Sequence, residues 1–202
     1  MPKTRTNIVK EGNLAKQLNV DAGDRLGTLI DINPKKALKE LQNSIKQYSD
    51  YISVPNRRST DHSFRLFVKD TIIQINDRIK EIHALLIEKQ QMSAWAIGER
   101  IINEIGIFSR DVEKGGFGFT TFFENPKLLE MDISQLYVID YDVFDSLKNL
   151  QERTESFMQL VKLNYLEDVD LWFETLDRII GKLIRLIDDR VKLIGSYERI
   201  AY

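Results

Sequence analysis

Apolar residues recur at helical spacing over long stretches of this 202-residue chain. The clearest stripe lies in the predicted helix from about Glu167 to Ser196, where the apolar positions follow one another in steps of three or four residues. Its members are Val169, Phe173, Leu176, Ile180, Leu183, Ile187, Val191 and Ile194, flanked by Trp172, Ile179, Ile184 and Leu186. The flanking residues widen the apolar arc, so we expect this helix to pack against more than one neighbour.

The same periodicity predicts three further helices. They are expected from Asn33-Pro34 to Val54-Pro55, from about Asp61–Ser63 onwards, and from about Tyr141 to Asn164. Asparagine is a good N-cap and proline fits the first helical turn, whereas the residue before a proline avoids the helical region. Residues 55–62 are therefore predicted to be a polar loop, in which Arg57 and Arg58 could bind an anion beside the next helix N-terminus.

Interruptions in the apolar stripes divide the chain. The second helix either continues past residues 89–93 to about residue 105 or bends there. The main break lies at 106–127, and a short helix is expected from Asn125-Pro126 to Met131.

The first 32 residues are the least periodic part of the chain, and glycines interrupt them. We therefore expect an irregular N-terminal segment over 1–32 and a helical-bundle domain over 33–202. The predicted fold is all-α, an up-and-down bundle of about four long amphipathic helices with a Gly/Phe-rich loop.

Composition excludes several classes of function. The chain has no cysteine, which excludes disulfides, thiolate metal sites and cysteine nucleophiles. A net charge of −2 disfavours extensive nucleic-acid binding, which needs a basic surface. Neither a signal peptide nor a membrane-spanning stretch is recognisable, so a cytoplasmic protein without membrane contact is expected.

Two acidic pairs are candidate metal ligands. Glu152 and Glu155 are three residues apart in one predicted helix, and Glu174 and Asp177 repeat that spacing in the next. Antiparallel packing of the two helices would bring four carboxylates together, and hard oxygen ligands suit Mg²⁺. This pattern resembles the four-carboxylate signature of the all-α nucleoside-triphosphate pyrophosphohydrolases, although Gln151 stands where that family usually has a glutamate. The resemblance implies Mg²⁺-dependent nucleotide hydrolysis; without it, no cofactor is expected.

A second candidate is the pair Arg78 and His83. Their Arg-x4-His spacing is similar to the short signature of the HEPN family of all-α ribonucleases, which implies an acid–base role for His83 and phosphate binding by Arg78. Arg57 and His62 have the same spacing in a predicted loop. The competing interpretation places His83 at the edge of the core, where it packs without chemistry.

The third candidate is the segment 114–123, which concentrates phenylalanine and glycine. Its four phenylalanines are Phe117, Phe119, Phe122 and Phe123. Burying a phenylalanine contributes roughly 1.5–3 kcal/mol, so four rings should find apolar surroundings. They either plug the open end of the bundle or form an exposed patch that binds a partner or a second subunit.

Taken together, these patterns favour a helical-bundle interaction or assembly protein without catalysis. A homo-oligomer or a protein partner is expected. Pyrophosphohydrolysis is the first alternative and RNA cleavage the second.

Overall fold

The computed structural model describes residues 31–118 and 120–197. In this part of the chain there are five helices and no strand. They are α1 (Pro34–Ser44), α2 (Val54–Glu88), α3 (Ala94–Lys114), α4 (Glu130–Lys162) and α5 (Val169–Gly195). The all-α prediction is confirmed. The predicted N-terminal segment lies almost entirely outside the described residues.

The four long helices form a closed ring. Helix α2 packs beside α3 and α4, and α5 also packs beside α3 and α4, while α1 lies against α4. Contacts along the helices give an up-and-down order. Lys69 of α2 pairs with Glu113 near the end of α3, and Lys89 at the end of α2 bonds to Asn164 at the end of α4. Helices α2 and α4 therefore run parallel, and α3 and α5 run antiparallel to both.

The bounds of α5 agree with the prediction to within two residues. Its stripe residues Phe173, Leu176, Ile180 and Leu183 are completely buried. The wide apolar arc is explained by its position in the ring, because α5 contacts both α3 and α4.

The predicted boundary between the first two helices is wrong. Helix α1 ends at Ser44, and α2 begins at Val54, with Pro55 in its first turn, where proline needs no hydrogen-bond donor. The helical spacing of apolar residues continues through Tyr48, although Tyr48 lies in the loop after α1. Its side chain is still buried in the core, and for this reason the spacing extended the predicted helix too far. Residues 55–62, predicted as a loop, are the first turns of α2.

From the sequence, one further helix boundary was left undecided and two others were predicted incorrectly. The second predicted helix does not continue; residues 89–93 reverse the chain, with Gln90 at φ 62°. The short helix expected from Asn125-Pro126 to Met131 is not found, because residues 126–127 form a turn and residues 130–131 begin α4. Helix α4 begins at Glu130, well before the predicted Tyr141, because its first turns bury Leu136 and Tyr137 in the core.

None of the described helices is long and apolar enough to cross a lipid bilayer.

Candidate functional site

The structure places the four predicted metal ligands apart. Glu155 of α4 lies 3.1 Å from Nε of Arg78 on α2, in a groove of about 300 Å³ between these two helices. Asp177 of α5 accepts a hydrogen bond of 2.9 Å from Nη1 of Arg100 on α3. Glu152 and Glu174 are exposed. The α2–α4 and α3–α5 interfaces are on opposite sides of the ring, so the expected meeting point between α4 and α5 is not found.

Within residues 31–118 and 120–197, no group of three or more acidic or histidine side chains is arranged to hold a metal ion. Asp142 and Lys182 are a deeper pair across the α4–α5 interface, 3.0 Å apart. The second carboxylate oxygen of Asp142, Oδ2, is buried without a hydrogen-bond partner among the described residues. A single acid with a lysine already bound to it is an ion pair, and its geometry offers no metal site.

Arg78 and His83 face different helices. Nη1 of Arg78 donates to Glu81, and its Nε approaches Glu155 of α4. His83 is turned towards α3, where its Nε2 lies 3.1 Å from the carbonyl oxygen of Trp95. The histidine is only 5% exposed. The two side chains do not share a cleft, and the geometry favours the interpretation of His83 as a packed residue at the core edge.

The rings of the Gly/Phe segment pack inwards. Phe122 is fully buried and Phe123 nearly so, while Phe117 is partly buried against the core. The centroids of Phe122 and Phe123 are 5.3 Å apart in an edge-to-face arrangement. These three rings therefore plug the end of the bundle, and the alternative in which they form an exposed partner-binding patch is not supported. Phe119 lies outside the described residues.

Arg57 holds this plug to the start of α2. Its guanidinium group donates hydrogen bonds to four backbone carbonyl oxygens, those of Tyr51, Ile52, Phe122 and Asn125. The side chain is 1% exposed, and burial lowers its pKa from the ordinary value. The predicted anion site is therefore wrong for Arg57, because this side chain is buried and four of the five N–H groups of its guanidinium already donate to backbone oxygens.

A buried network of charged and tyrosine side chains, which the spacing of apolar residues did not reveal, lies next to the plug. Arg190 of α5 donates to Asp140 of α4 through Nε at 2.7 Å and to Asp61 of α2 through Nη1 at 2.8 Å. Its Nη2 donates to the hydroxyl oxygen of Tyr51, 2.8 Å away. The hydroxyl of Tyr48 donates to Oδ2 of Asp140, also at 2.8 Å. One guanidinium group thus joins three helices of the ring and the loop before α2.

The charges in this network are shielded from water. Arg190 is 1% exposed, and its guanidinium carbon lies 4.7 Å from the ring centroid of Phe64. Burial by itself lowers the pKa of Arg190, but Asp140, Tyr51 and Asp61 outweigh it and hold the pKa well above its ordinary value. Burial, reinforced by Asp140, raises the pKa of Tyr48 and of Tyr51 well above 10. Both tyrosines therefore remain neutral donors, and the network has no open face for a substrate.

The opposite end of the bundle exposes apolar side chains. There the turn between α2 and α3 lies beside the turn between α4 and α5, joined by the 2.9 Å hydrogen bond from Lys89 Nζ to Asn164 Oδ1. Five exposed apolar residues lie in or next to these turns: Ile87, Met92, Trp95, Leu163 and Leu171. We call this surface the apolar end. Met92 is 65% exposed and Trp95 51%, which is unusual for such large apolar side chains.

No protein-family model matches the chain, and no curated protein or solved structure matches it significantly.

Proposed function

We propose that this protein is a non-catalytic assembly protein whose apolar end binds a second copy of the same chain. The observation that carries the proposal is the concentration of five exposed apolar side chains where two helical turns meet. Contiguous apolar surface that remains exposed on a folded chain is typical of protein interaction sites.

The charges around the apolar end favour a second copy as the occupant. The α4–α5 turn carries Glu167, Asp168 and Asp170, whereas the α2–α3 turn carries Lys89 beside Glu88. In a two-fold dimer the same patch is used by both subunits, so the two different turns can oppose each other across the axis. Lys89 of one copy would then face the acidic turn of the other, while the apolar side chains meet at the centre.

The enzymatic alternatives have less support. A metal-dependent hydrolase needs carboxylates that converge, and Glu155 and Asp177 are each paired with an arginine on different sides of the ring. A ribonuclease of the HEPN type needs Arg78 and His83 at one cleft, and they are directed towards α4 and α3. An assembly role requires neither arrangement.

Sedimentation equilibrium over a range of concentrations tests the proposal. The wild type should form a dimer, and the double variant Met92→Ser/Trp95→Ser should remain a monomer. Its thermal midpoint should equal that of the wild type diluted to the monomer, because neither side chain belongs to the core and dimerisation itself adds stability by mass action. Ile107→Ser is the matched control, because this isoleucine is 53% exposed in the middle of α3, away from the apolar end. It should leave the dimer intact.

Fluorescence gives an independent measurement. The chain has two tryptophans, and Trp172 is buried and stacked on Phe157, so the variant Trp172→Phe leaves Trp95 as the reporter. Its emission should shift to shorter wavelength as the concentration rises. A wild type that stays monomeric at tens of micromolar would refute the proposal. So would a Trp95 signal that is already shielded in the monomer, because residues 1–30 would then be the occupant.

A further inference from the structure

A second groove lies between α3 and α5, on the side of the ring opposite to α2 and α4. It has a volume of about 400 Å³. Its lining residues are Arg100, Glu104, Asp177, Arg178, Gly181 and Arg185. The groove is distinct from the apolar end and is lined mainly by charged side chains.

Of the charged side chains that line the groove, some have an oppositely charged partner and others have none. Arg100 is bound to Asp177 at 2.9 Å and lies 3.7 Å from Glu104, so the two carboxylates of the groove share this one guanidinium. Arg178 turns back along α5, with Nη2 donating to the hydroxyl of Thr175 at 3.3 Å. Among the described residues, no carboxylate lies within 4.0 Å of the guanidinium nitrogens of Arg178 or Arg185. Two cations in the groove therefore have no anionic partner.

Gly181 lies between these two arginines on α5, and because it has no side chain the groove is open at this point. A Cβ atom at this position would meet only Nη1 of Arg185, at 3.7 Å. The guanidinium group of Arg185 thus folds back over the glycine instead of extending away from the helix. Arg178 and Arg185 are seven residues apart on α5, which corresponds to about 10.5 Å along the axis. Arg185 already lies over Gly181, and Arg178 joins it on a ligand there when its guanidinium group leaves Thr175.

We propose that the α3–α5 groove binds a diphosphate anion through Arg178 and Arg185. Guanidinium groups form bidentate, charge-assisted hydrogen bonds with phosphate oxygens, and two of them suit two linked phosphoryl groups better than one. Arg100 contributes as the third cation on the opposite wall, held in position by Asp177. This site is independent of the proposed dimer, since none of its residues belongs to the apolar end.

Isothermal titration of the full chain with inorganic pyrophosphate, at constant ionic strength, tests the proposal. The double variant Arg178→Gln/Arg185→Gln should lose at least about tenfold in affinity, because two charge-assisted contacts are removed. Arg110→Gln is the matched control, since Arg110 is an exposed arginine of α3 that does not line the groove. It should bind pyrophosphate like the wild type.

Gly181→Glu gives a second variant that keeps the fold. A Cβ atom at this position meets no backbone or core atom within 4 Å, and the carboxylate of the glutamate would neutralise Arg185 from within the groove. It should abolish pyrophosphate binding without lowering the thermal midpoint. ADP serves as a second probe: tighter binding of ADP than of pyrophosphate would identify a nucleotide as the source of the diphosphate.

The proposal fails if pyrophosphate at millimolar concentration produces no binding signal with the wild type. It also fails if the double variant binds as well as Arg110→Gln. Equal affinity for sulfate and pyrophosphate would contradict it too, because that result indicates general charge screening and no selection for two linked phosphoryl groups.

Discussion

The imidazole ring of His83 on α2 occupies the space that a side chain at Gly98 on α3 would need. A Cβ atom built on Gly98 would lie 2.4 Å from Cδ2 of His83. The ring is also fixed by the contact of its Nε2 with the carbonyl oxygen of Trp95. The close approach of α2 and α3 at this level therefore depends on a histidine facing a glycine, and this is a packing role.

In Gly98→Ala the added methyl group forces the ring out of its position, which should cost about 1–3 kcal/mol in packing. This loss should exceed the gain of roughly 1 kcal/mol that alanine brings to a helix interior. Gly106 of α3 is the control, since a Cβ atom there meets nothing within 4 Å. Gly106→Ala should therefore raise the free energy of unfolding in urea. Equal stabilisation by both substitutions would contradict the packing role of His83.

Combining Gly98→Ala with His83→Ala tests whether the clash causes the loss. With the imidazole removed, the alanine at position 98 should no longer cost stability relative to His83→Ala alone. A cost that persists in this background would mean that the methyl group meets another part of the structure.

Arg190→Met should lower the free energy of unfolding by about 3–5 kcal/mol, because it leaves the buried carboxylates of Asp61 and Asp140 without their shared cation. Chemical denaturation measures this loss. Asp140 is the carboxylate left without a cation, because Asp61 still pairs with Arg65 at 2.9 Å. In the double variant Arg190→Met/Asp140→Asn that charge is gone, so the combined loss should be smaller than the sum of the two single losses. Additive losses would show that Arg190 and Asp140 do not act as a pair.

Arg57→Met should destabilise the protein by several kcal/mol, because four backbone carbonyl oxygens lose their donor, and the hydrogen bonds to Tyr51 and Phe122 are fully buried. The neighbouring Arg58 is the matched control. It is exposed and pairs with Glu124 at the surface, where such a pair contributes at most about 1 kcal/mol. Arg58→Met should thus be nearly neutral in the same urea titration. Similar losses for both variants would contradict the proposed clamp between α2 and the plug.

The buried tyrosines predict a loss of stability at alkaline pH. Burial holds the pKa of Tyr48 and Tyr51 well above 10 and raises that of Tyr137 to about 12. A group whose pKa is higher in the folded state stabilises the fold below its unfolded pKa and loses this contribution as pH rises towards the folded value. Unfolding free energy should therefore fall above pH 10, by up to about 1.4 kcal/mol per pH unit for each tyrosine.

Urea titrations at a series of alkaline pH values measure how steeply the free energy of unfolding falls with pH. In Tyr48→Phe this fall should be less steep, because one buried tyrosine no longer contributes to it. The variant also loses the hydrogen bond to Asp140, so its stability at neutral pH is compared separately. An unchanged slope would show that Tyr48 ionises as readily in the folded protein as in the unfolded chain.

The apolar periodicity by itself determined the class of the fold. The stripe of α5 predicted that helix to within two residues, and the periodicity that begins at about Asp61–Ser63 identified the body of α2. Local rules succeed there because a helix that buries one face repeats its apolar residues every three to four positions, whatever it packs against. They fail at Tyr48, where the same spacing continues although the side chain reaches the core from a loop.

Only the tertiary structure decided which charged residues are buried. Asp61, Asp140 and Arg190 come from three different helices, and in the sequence each resembles the many charged residues on solvated helix faces. Likewise, the acidic pairs had the spacing of a metal site, but each pair's partner depends on which helices become neighbours. Glu155 meets Arg78 and Asp177 meets Arg100 because α4 borders α2 and α5 borders α3. Helical periodicity reports the buried face of each helix, whereas contacts between charges depend on the order of helices around the ring, which is set by long-range packing.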